Sequence, residues 1–338
     1  MLSGLSIIIC TKNRPADLEI TLGSVFQQRS LPDNLVIIDD GNADDTRTLL
    51  KRYDSISGVR IIHFHPKNES SGLPAARNLG IGTIPDQTGI ILFLDDDVTL
   101  DESYLEIIQD LFLKNPDLCG ATGFIRTKYH DRSLPVKVLL LITGTLLPCL
   151  IPVSLFGPRV TWTADSLYPI FKKPMTDTVP AQWLSGCNMA YRSTVFCEGA
   201  RFDEHLVLYA LGEDMLFSHL LHQDRKKLLL SYNARLIHRI SEESRIPLIR
   251  KLAMTFGYRN YEISRFVHNR LFSTFFYTVF IVRYLLSSVI ISLKNENGLA
   301  QVKEVIRANS MTREFWHEIR SGNLERFNNF LSTLPKQR

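Results

Sequence analysis

Hydrophobic positions fall in short blocks along this chain, and polar clusters close most of them. Residues 6–10 are apolar and largely β-branched, and Thr11-Lys12-Asn13-Arg14-Pro15 interrupts the run. This predicts a buried strand and a loop. Leu18, Leu22, Val25 and Phe26 then recur at helical spacing. Residues 35–38 predict a second buried strand ended by Asp39-Asp40-Gly41, followed by a helix over 46–53 that Asp44 or Asp45 can cap. Residues 59–64 predict a third strand, and Gly72 opens a helical segment to 81. Residues 90–94 predict a fourth strand, ended by Asp95-Asp96-Asp97, with a helix over about 103–114.

Strand–helix alternation of this kind predicts an α/β fold with a doubly wound, mostly parallel sheet. Such sheets bind ligands beyond the carboxyl ends of their strands, where each of these polar clusters falls. Residues 134–158 hold long apolar stretches broken by Pro148 and Pro152; a re-entrant or interfacial segment and an apolar hairpin over the sheet both fit. Compact α/β patterning returns over 183–240. Residues 245–270 are helical in period, with Ile249, Leu252, Phe256, Ile263 and Phe266 on one face and Arg250, Lys251, Arg259 and Arg265 off it. Residues 271–293 are strongly apolar, with Arg283 the one charged residue among them. That is long enough to span a bilayer, but a central arginine is costly in lipid. Spanning, lying in the interface and packing as a buried helix stay open. From Gly298 on, the pattern predicts one or two amphipathic helices.

Composition adds that a core of ordinary size can form: of 338 residues, 45% are hydrophobic and 22% charged. That excludes disordered, collagenous and disulfide-framework proteins. Charge is uneven. Residues 1–223 carry 19 Lys and Arg against 26 Asp and Glu, while residues 224–338 carry 20 against 9. The basic second part suits an anionic surface. Its charge is interleaved with aromatics and apolar runs and shows no nucleic-acid-binding motif, which favours lipid over nucleic acid. The five cysteines are odd in number and widely spaced, as free thiols in a reduced compartment are. The first residues lack a basic stretch and a long apolar run, so a cytoplasmic location is expected.

Several clusters carry candidate chemistry. Three adjacent carboxylates, Asp95 to Asp97, repel one another, and a divalent cation held by oxygen ligands offsets that; a solvated acidic loop at a helix start is the plain alternative. Asp39 and Asp40 suit a ribose or base edge, or simple turn chemistry. Gly72, Ala75 and Ala76 allow close backbone approach, and Arg77 suits phosphate oxygens or a plain surface role. Trp183 to Ala190 has small polar residues between apolar flanks, as a substrate-lining loop or an ordinary strand does. Glu213 and Asp214 lie in the first turn of a helix that Gly212 opens; a carboxylate there serves as a general base or merely decorates the helix start. His238, after the apolar 234–237, suits a metal or a structural contact. His219 and His222 read as ordinary helix residues.

Taken in order, Ile7 to Pro15, Val36 to Gly41, Gly72 to Gly80, Phe93 to Asp97, Ser185 to Arg192 and Gly212-Glu213-Asp214 resemble glycosyltransferase family 2, of the GT-A fold, over roughly residues 4–240. The resemblance implies a GT-A domain over 1–240. Its nucleotide-sugar half covers about 1–125, the apolar insert 134–158, and the acceptor half about 180–240. A helical, basic, membrane-associated region follows over 241–338. By the same resemblance, Thr11 and Asp39 line a nucleobase pocket, and Asn13, Arg14, Asp40 and Arg77 border the nucleotide. Asp95 and Asp96 belong to the donor site, with Asp95 facing the ribose, and Asp97 binds Mn²⁺ or Mg²⁺ with His238 as a further metal contact. Asp214 is the base that deprotonates the acceptor hydroxyl, and Glu213 positions it.

The implied activity is inverting transfer from a nucleoside-diphosphate sugar, commonly of UDP or dTDP, to a glycan or lipid-linked acceptor at the cytoplasmic membrane face. In-line attack needs a base opposite the leaving diphosphate, and carboxylates on two separate elements supply opposed positions. Asn42 stands where many relatives have Ser. The Q-x-x-R-W element of processive relatives is not visible, so transfer of one sugar, or a few, is expected. A sugar nucleotidyltransferase needs a Gly-rich phosphate loop after the first strand, and residues 10–16 contain no Gly. A non-catalytic binding protein on the same fold is the other alternative.

Overall fold

The computed structural model describes residues 4–53, 58–66, 72–84, 89–126, 154, 157–169, 176–239, 246–292 and 298–335. Most of the apolar 134–158 segment, and Cys149 within it, lie outside the described residues.

The first half alternates as its pattern predicts: β1 (Leu5–Thr11), α1 (Pro15–Phe26), β2 (Asn34–Asp39), α2 (Ala43–Leu50), β3 (Arg60–Phe64), α3 (Leu73–Thr83) and β4 (Ile90–Asp95). β5 (Val98–Leu100), α4 (Tyr104–Lys114) and β6 (Leu118–Arg126) follow, then the short β7 (Arg159–Val160), β8 (Ser166–Leu167) and β9 (Thr178–Pro180). β10 (Asn188–Arg192), α5 (Thr194–Cys197), α6 (Glu213–Gln223) and β11 (Lys227–His238) complete the sheet layer. α2 begins earlier than its apolar pattern indicates. Asn42, not Asp44 or Asp45, caps it by accepting the Asp44 N–H at 3.2 Å, while the two acids ride in the first turn, where the helix dipole favours them.

The main sheet runs β3-β2-β1-β4-β10-β6-β11-β5, with β9 also against β11. β3, β2, β1 and β4 are parallel. β10 then enters antiparallel to both β4 and β6, so the second half of the sheet is mixed. Alternation along β1 sends Ile7 and Ile9 to a core with α1 and α4, and Ile8 to one with α3, α5 and α6. Helices therefore cover both faces. α3 sits very close to β1, since a Cβ on Gly80 would fall 2.6 Å from Ile8 Cγ2.

A third core joins α6 to the C-terminal helices α7 (Leu248–Phe266), α8 (Arg270–Ser292), α9 (Gly298–Arg313), α10 (Trp316–Ser321) and α11 (Glu325–Thr333). α7 is surrounded. Arg250, expected on a solvated face, is buried and donates to the Leu334 carbonyl at 2.7 Å. Tyr277, Phe280 and Ile281 of α8 face this core, whereas Leu271, Phe272, Phe275, Val282, Leu286 and Ile290 are exposed. Arg283 folds back to ion-pair with Asp165 and donate to Thr163 at 3.3 Å.

Candidate active site

β1 is flanked by β2 and β4, so three polar strand ends meet where the sheet order reverses. Thr11 pairs in register with Asp39, and Cys10 with Asp95. The antiparallel pairing of β5 with β11 sets His238 opposite Val98, one residue beyond Asp97. His238 Nε2 lies 3.0 Å from Asp97 Oδ1 and 3.9 Å from Asp95 Oδ2, and one ligand atom from each of the three falls within 4.8 Å of the others. Two carboxylates and an imidazole form a donor set suited to Mn²⁺ or Mg²⁺. The residues present fit such an ion. Burial opposes protonation of His238, but its bond to Asp97 and its neighbours Cys187 and Asp95 push it up to about 11.

The acidic triplet is thus sorted by direction. Asp96 turns away from the cluster, accepting from Thr11 Oγ1 at 2.7 Å and Arg14 Nη1 at 3.2 Å, and burial pushes its carboxyl up to about 6. Asn13, in left-handed conformation at φ 56°, accepts the Asn42 N–H at 2.9 Å and ties the β1 loop to the β2 loop. Asp39 is fully buried. It accepts from Gly41 N–H at 2.8 Å and lies 3.3 Å from His63 Nε2. Burial acts to raise its pKa, but bonds from His63, Thr46 and Gly41 outweigh that and hold it below the usual range. Asp40 is half-buried, its N–H donating to the Thr11 carbonyl at 3.0 Å.

Arg77 lies between this cluster and the second acidic pair. It is 2% exposed. It ion-pairs with Glu213, donates to the Gly186 carbonyl at 3.0 Å and reaches Asp95 at 3.3 Å. Its guanidinium is thereby engaged by protein groups on three elements. Gly212, left-handed at φ 87°, turns the chain into α6, and Asp214 follows with Oδ2 accepting the Gly186 N–H at 2.7 Å. Burial raises the Asp214 carboxyl above its ordinary value, against the lowering effect of Gly186, Arg77 and Met215. Glu213 is buried, and its Oε2 has no hydrogen-bond partner among the described residues. A Cβ on Gly186 would fall 3.2 Å from Asp214 Oδ2, so this loop is small by need. Asn188 does not line the cleft: it is fully buried and accepts the Gly123 N–H at 3.0 Å, joining β10 to β6.

Three contributors carry no local sequence signal. Arg239 donates to the Val98 carbonyl at 2.8 Å, the Asp17 carbonyl at 2.9 Å and Thr99 Oγ1 at 2.6 Å, bracing β5 beneath Asp97. Tyr209 is 58% exposed beside Arg14 and the Asp95, Asp97 and His238 cluster, on a turn where Leu208 and Ala210 both take positive φ. Glu262 lies buried behind Gly212. Adjacency to His238 is the one hint at Arg239. Among the described residues, Cys10, Cys119 and Cys187 form no disulfide.

An α/β sheet with a carboxylate–imidazole cluster at its switch point, and a separate acid pair opening a nearby helix, places the chain in the GT-A class of group-transfer folds. The family model for Glycosyl transferase family 2 matches residues 6–196, more than half the chain, and the chain belongs to that family of glycosyltransferases. It is similar to the chondroitin synthase of Escherichia coli, 24% identical over 66% of this chain and 33% of that protein. It is also similar to the O-antigen chain rhamnosyltransferase of Salmonella typhimurium, 26% identical over 63% of this chain and 59% of that one. The chain thus spans about a third of the first relative and less than two thirds of the second. Among solved structures, GalNAc-T7 with UDP, GalNAc and Mn²⁺ superposes with TM-score 0.55 and 18% identity, over 78% of this chain and 50% of that one, which shows the shared fold.

Proposed function

We propose that this chain is an inverting, metal-dependent glycosyltransferase of cell-envelope polysaccharide synthesis. It moves a single sugar from a nucleoside-diphosphate sugar to a hydroxyl of a glycan or lipid-linked acceptor. The observation that carries the reading is the pair of separated acidic sites: Asp95, Asp97 and His238 on one side of Arg77, Glu213 and Asp214 on the other.

Asp95, Asp97 and His238 are the residues that would hold Mn²⁺ or Mg²⁺, whose charge would offset that of the departing diphosphate. Asp214 is placed to take the acceptor hydroxyl proton on its carboxylate, and its raised pKa makes it a stronger base than an exposed aspartate. Glu213, pinned by Arg77, offers its unpartnered Oε2 to orient the acceptor or the base. Thr11, Asn13, Arg14, Asp39, Asp40 and Asp96 shape the nucleotide side. The names of the relatives support an envelope-glycan acceptor.

A place at the cytoplasmic membrane face is supported by α8. One side of it is built into the core through Tyr277 and Phe280 while the other presents Phe272, Phe275 and Leu286 to the outside. Because Arg283 is ion-paired to Asp165, such a helix lies along a bilayer surface rather than crossing it.

The test is thermal stabilisation by UDP, dTDP, GDP, CDP and ADP, each with Mn²⁺ and with chelator. One nucleotide is expected to stabilise wild type only with metal, by about 2.7 kcal/mol at 100 times its Kd, and Asp97→Ala should lose the effect. Asp214→Asn should keep it while losing transfer. No shift with any nucleotide, or an active Asp214→Asn enzyme, refutes the reading.

A further inference from the structure

A third carboxylate lies behind the acid pair of α6. Glu262, from the middle of α7, is 2% exposed and reaches the turn that begins α6: a Cβ built on Gly212 would fall 1.9 Å from Glu262 Oε1. The space that a side chain at position 212 would occupy is therefore filled by Glu262. Gly212 also holds φ 87°, which other residues adopt at a cost. The two features lock the turn whose next residues are Glu213 and Asp214.

Glu262 is in turn held from the C-terminal side. Arg259 Nη1 lies 3.2 Å from Glu262 Oε2, and the Arg259 guanidinium sits 5.3 Å over the Phe280 ring of α8. Arg259 also acts on Asp165, which Arg283 grips from α8. Glu262, Arg259, Asp165 and Arg283 make a chain of alternating charge from the α6 turn to the outer helix. Glu262 Oε2 and Arg259 Nη1 are buried and meet each other at ion-pair distance outside hydrogen-bond geometry, and Arg259 Nε has no hydrogen-bond partner among the described residues. Burial pushes the Glu262 carboxyl up to about 7, against Arg259 and with help from Asp214 and Asp165. An apolar side chain of the same size would be cheaper to bury; what the carboxylate supplies is a fixed contact directly behind the acid pair.

We propose that Glu262 is a positioning residue for Glu213 and Asp214, wedging the Gly212 turn from behind and making the C-terminal helices part of the reacting unit. The role rests on Asp214 as base. A displacement of the order of 1 Å in a reacting group costs about 100-fold in rate, so a turn held from one side only is a point of failure.

The experiment uses the full chain with Glu262→Ala, Glu262→Gln and Gly212→Ala, and three readouts. These are hydrogen exchange of segments 208–216 and 34–39, thermal stabilisation by UDP with Mn²⁺, and nucleoside-diphosphate release from a panel of UDP-, dTDP- and GDP-sugars. Glu262→Ala is expected to speed exchange in 208–216 but not 34–39, keep the nucleotide stabilisation, and lower release at least tenfold. Glu262→Gln, which retains the wedge, should recover release to within about threefold of wild type. If Glu262→Ala does not fold, Gly212→Ala presses on the same contact from the other side and should show the same signature. Release within twofold of wild type, unchanged exchange in 208–216, or equal loosening of 34–39 overturns the proposal. If wild type releases nothing from any sugar nucleotide, the transferase reading fails instead, and the exchange readout still decides the wedge.

Discussion

Replacing Arg77 with Met tests whether this arginine serves the fold or the nucleotide. Its side chain and that of Glu213 are 3% and 4% exposed, and its Nη2 donates to the Gly186 carbonyl and Asp95. Methionine fills similar volume but leaves Glu213 as a buried, uncompensated carboxylate. Breaking a buried ion pair from one side costs about 3–5 kcal/mol, a large share of the roughly 5–15 kcal/mol that holds a domain together. Urea unfolding should show a loss of that size, and Arg77→Met/Glu213→Gln should recover much of it, giving a coupling of at least about 2 kcal/mol. UDP–Mn²⁺ affinity of the folded fraction should change less than about fivefold, because both Nη groups of Arg77 are already engaged by Glu213, Asp95 and the Gly186 carbonyl. A stability loss under about 1 kcal/mol with nucleotide affinity down more than about tenfold would refute the reasoning and make Arg77 a phosphate ligand.

Gly186→Ala should lower turnover by about 10- to 100-fold at unchanged nucleotide stabilisation, since the new Cβ meets Asp214 Oδ2 at 3.2 Å and Arg77 Nη2 at 3.0 Å; normal turnover would show the loop yields freely. His219 is held neutral, its pKa pushed down to about 4 chiefly by burial. The unfolded chain therefore binds more protons between about pH 4 and 6.5, so stability should be lost as pH is lowered through that window, and His219→Gln should flatten the loss in urea titrations. Phe272→Glu with Phe275→Glu should abolish co-flotation with anionic vesicles without altering UDP–Mn²⁺ stabilisation. Retained flotation would assign the exposed face of α8 another role, and a dimer-to-monomer change would assign it to self-association.

Much of the frame was legible because buried parallel strands write themselves as local apolar runs. β1, β2 and β4 end at Thr11, Asp39 and Asp95, where the polar clusters begin. The ordering of those ends into one crevice follows from general rules of doubly wound sheets. What was not legible depends on partners far apart in sequence. Nothing near Val98 shows that three residues will pair with β11 and carry His238 to Asp97. Nor does the run of three aspartates show that the middle one turns to Thr11 and Arg14. Asn188 looked like a loop residue because small polar side chains suit both a cleft and a satisfied buried contact. α7 was read as one-sided because its arginines sit off the apolar face, but Arg250 and Glu262 are buried by helices that follow it in the chain.

The charges around Arg77 explain why the two acidic groups can coexist. Asp95 and Asp97 on one side and Glu213 and Asp214 on the other would repel one another if nothing lay between them. A single cation, buried where the dielectric is low, lowers the charge felt by both, and its rigid fork fixes their separation as well. In the proposed reading, Asp95, Asp97 and His238 would hold an ion whose charge offsets that of the diphosphate, and Arg77 keeps that cluster apart from Asp214. The same geometry explains why the C-terminal helices matter to the acid pair: Arg77 reaches Glu213 from α3, and Glu262 of α7 packs against the Gly212 turn from behind.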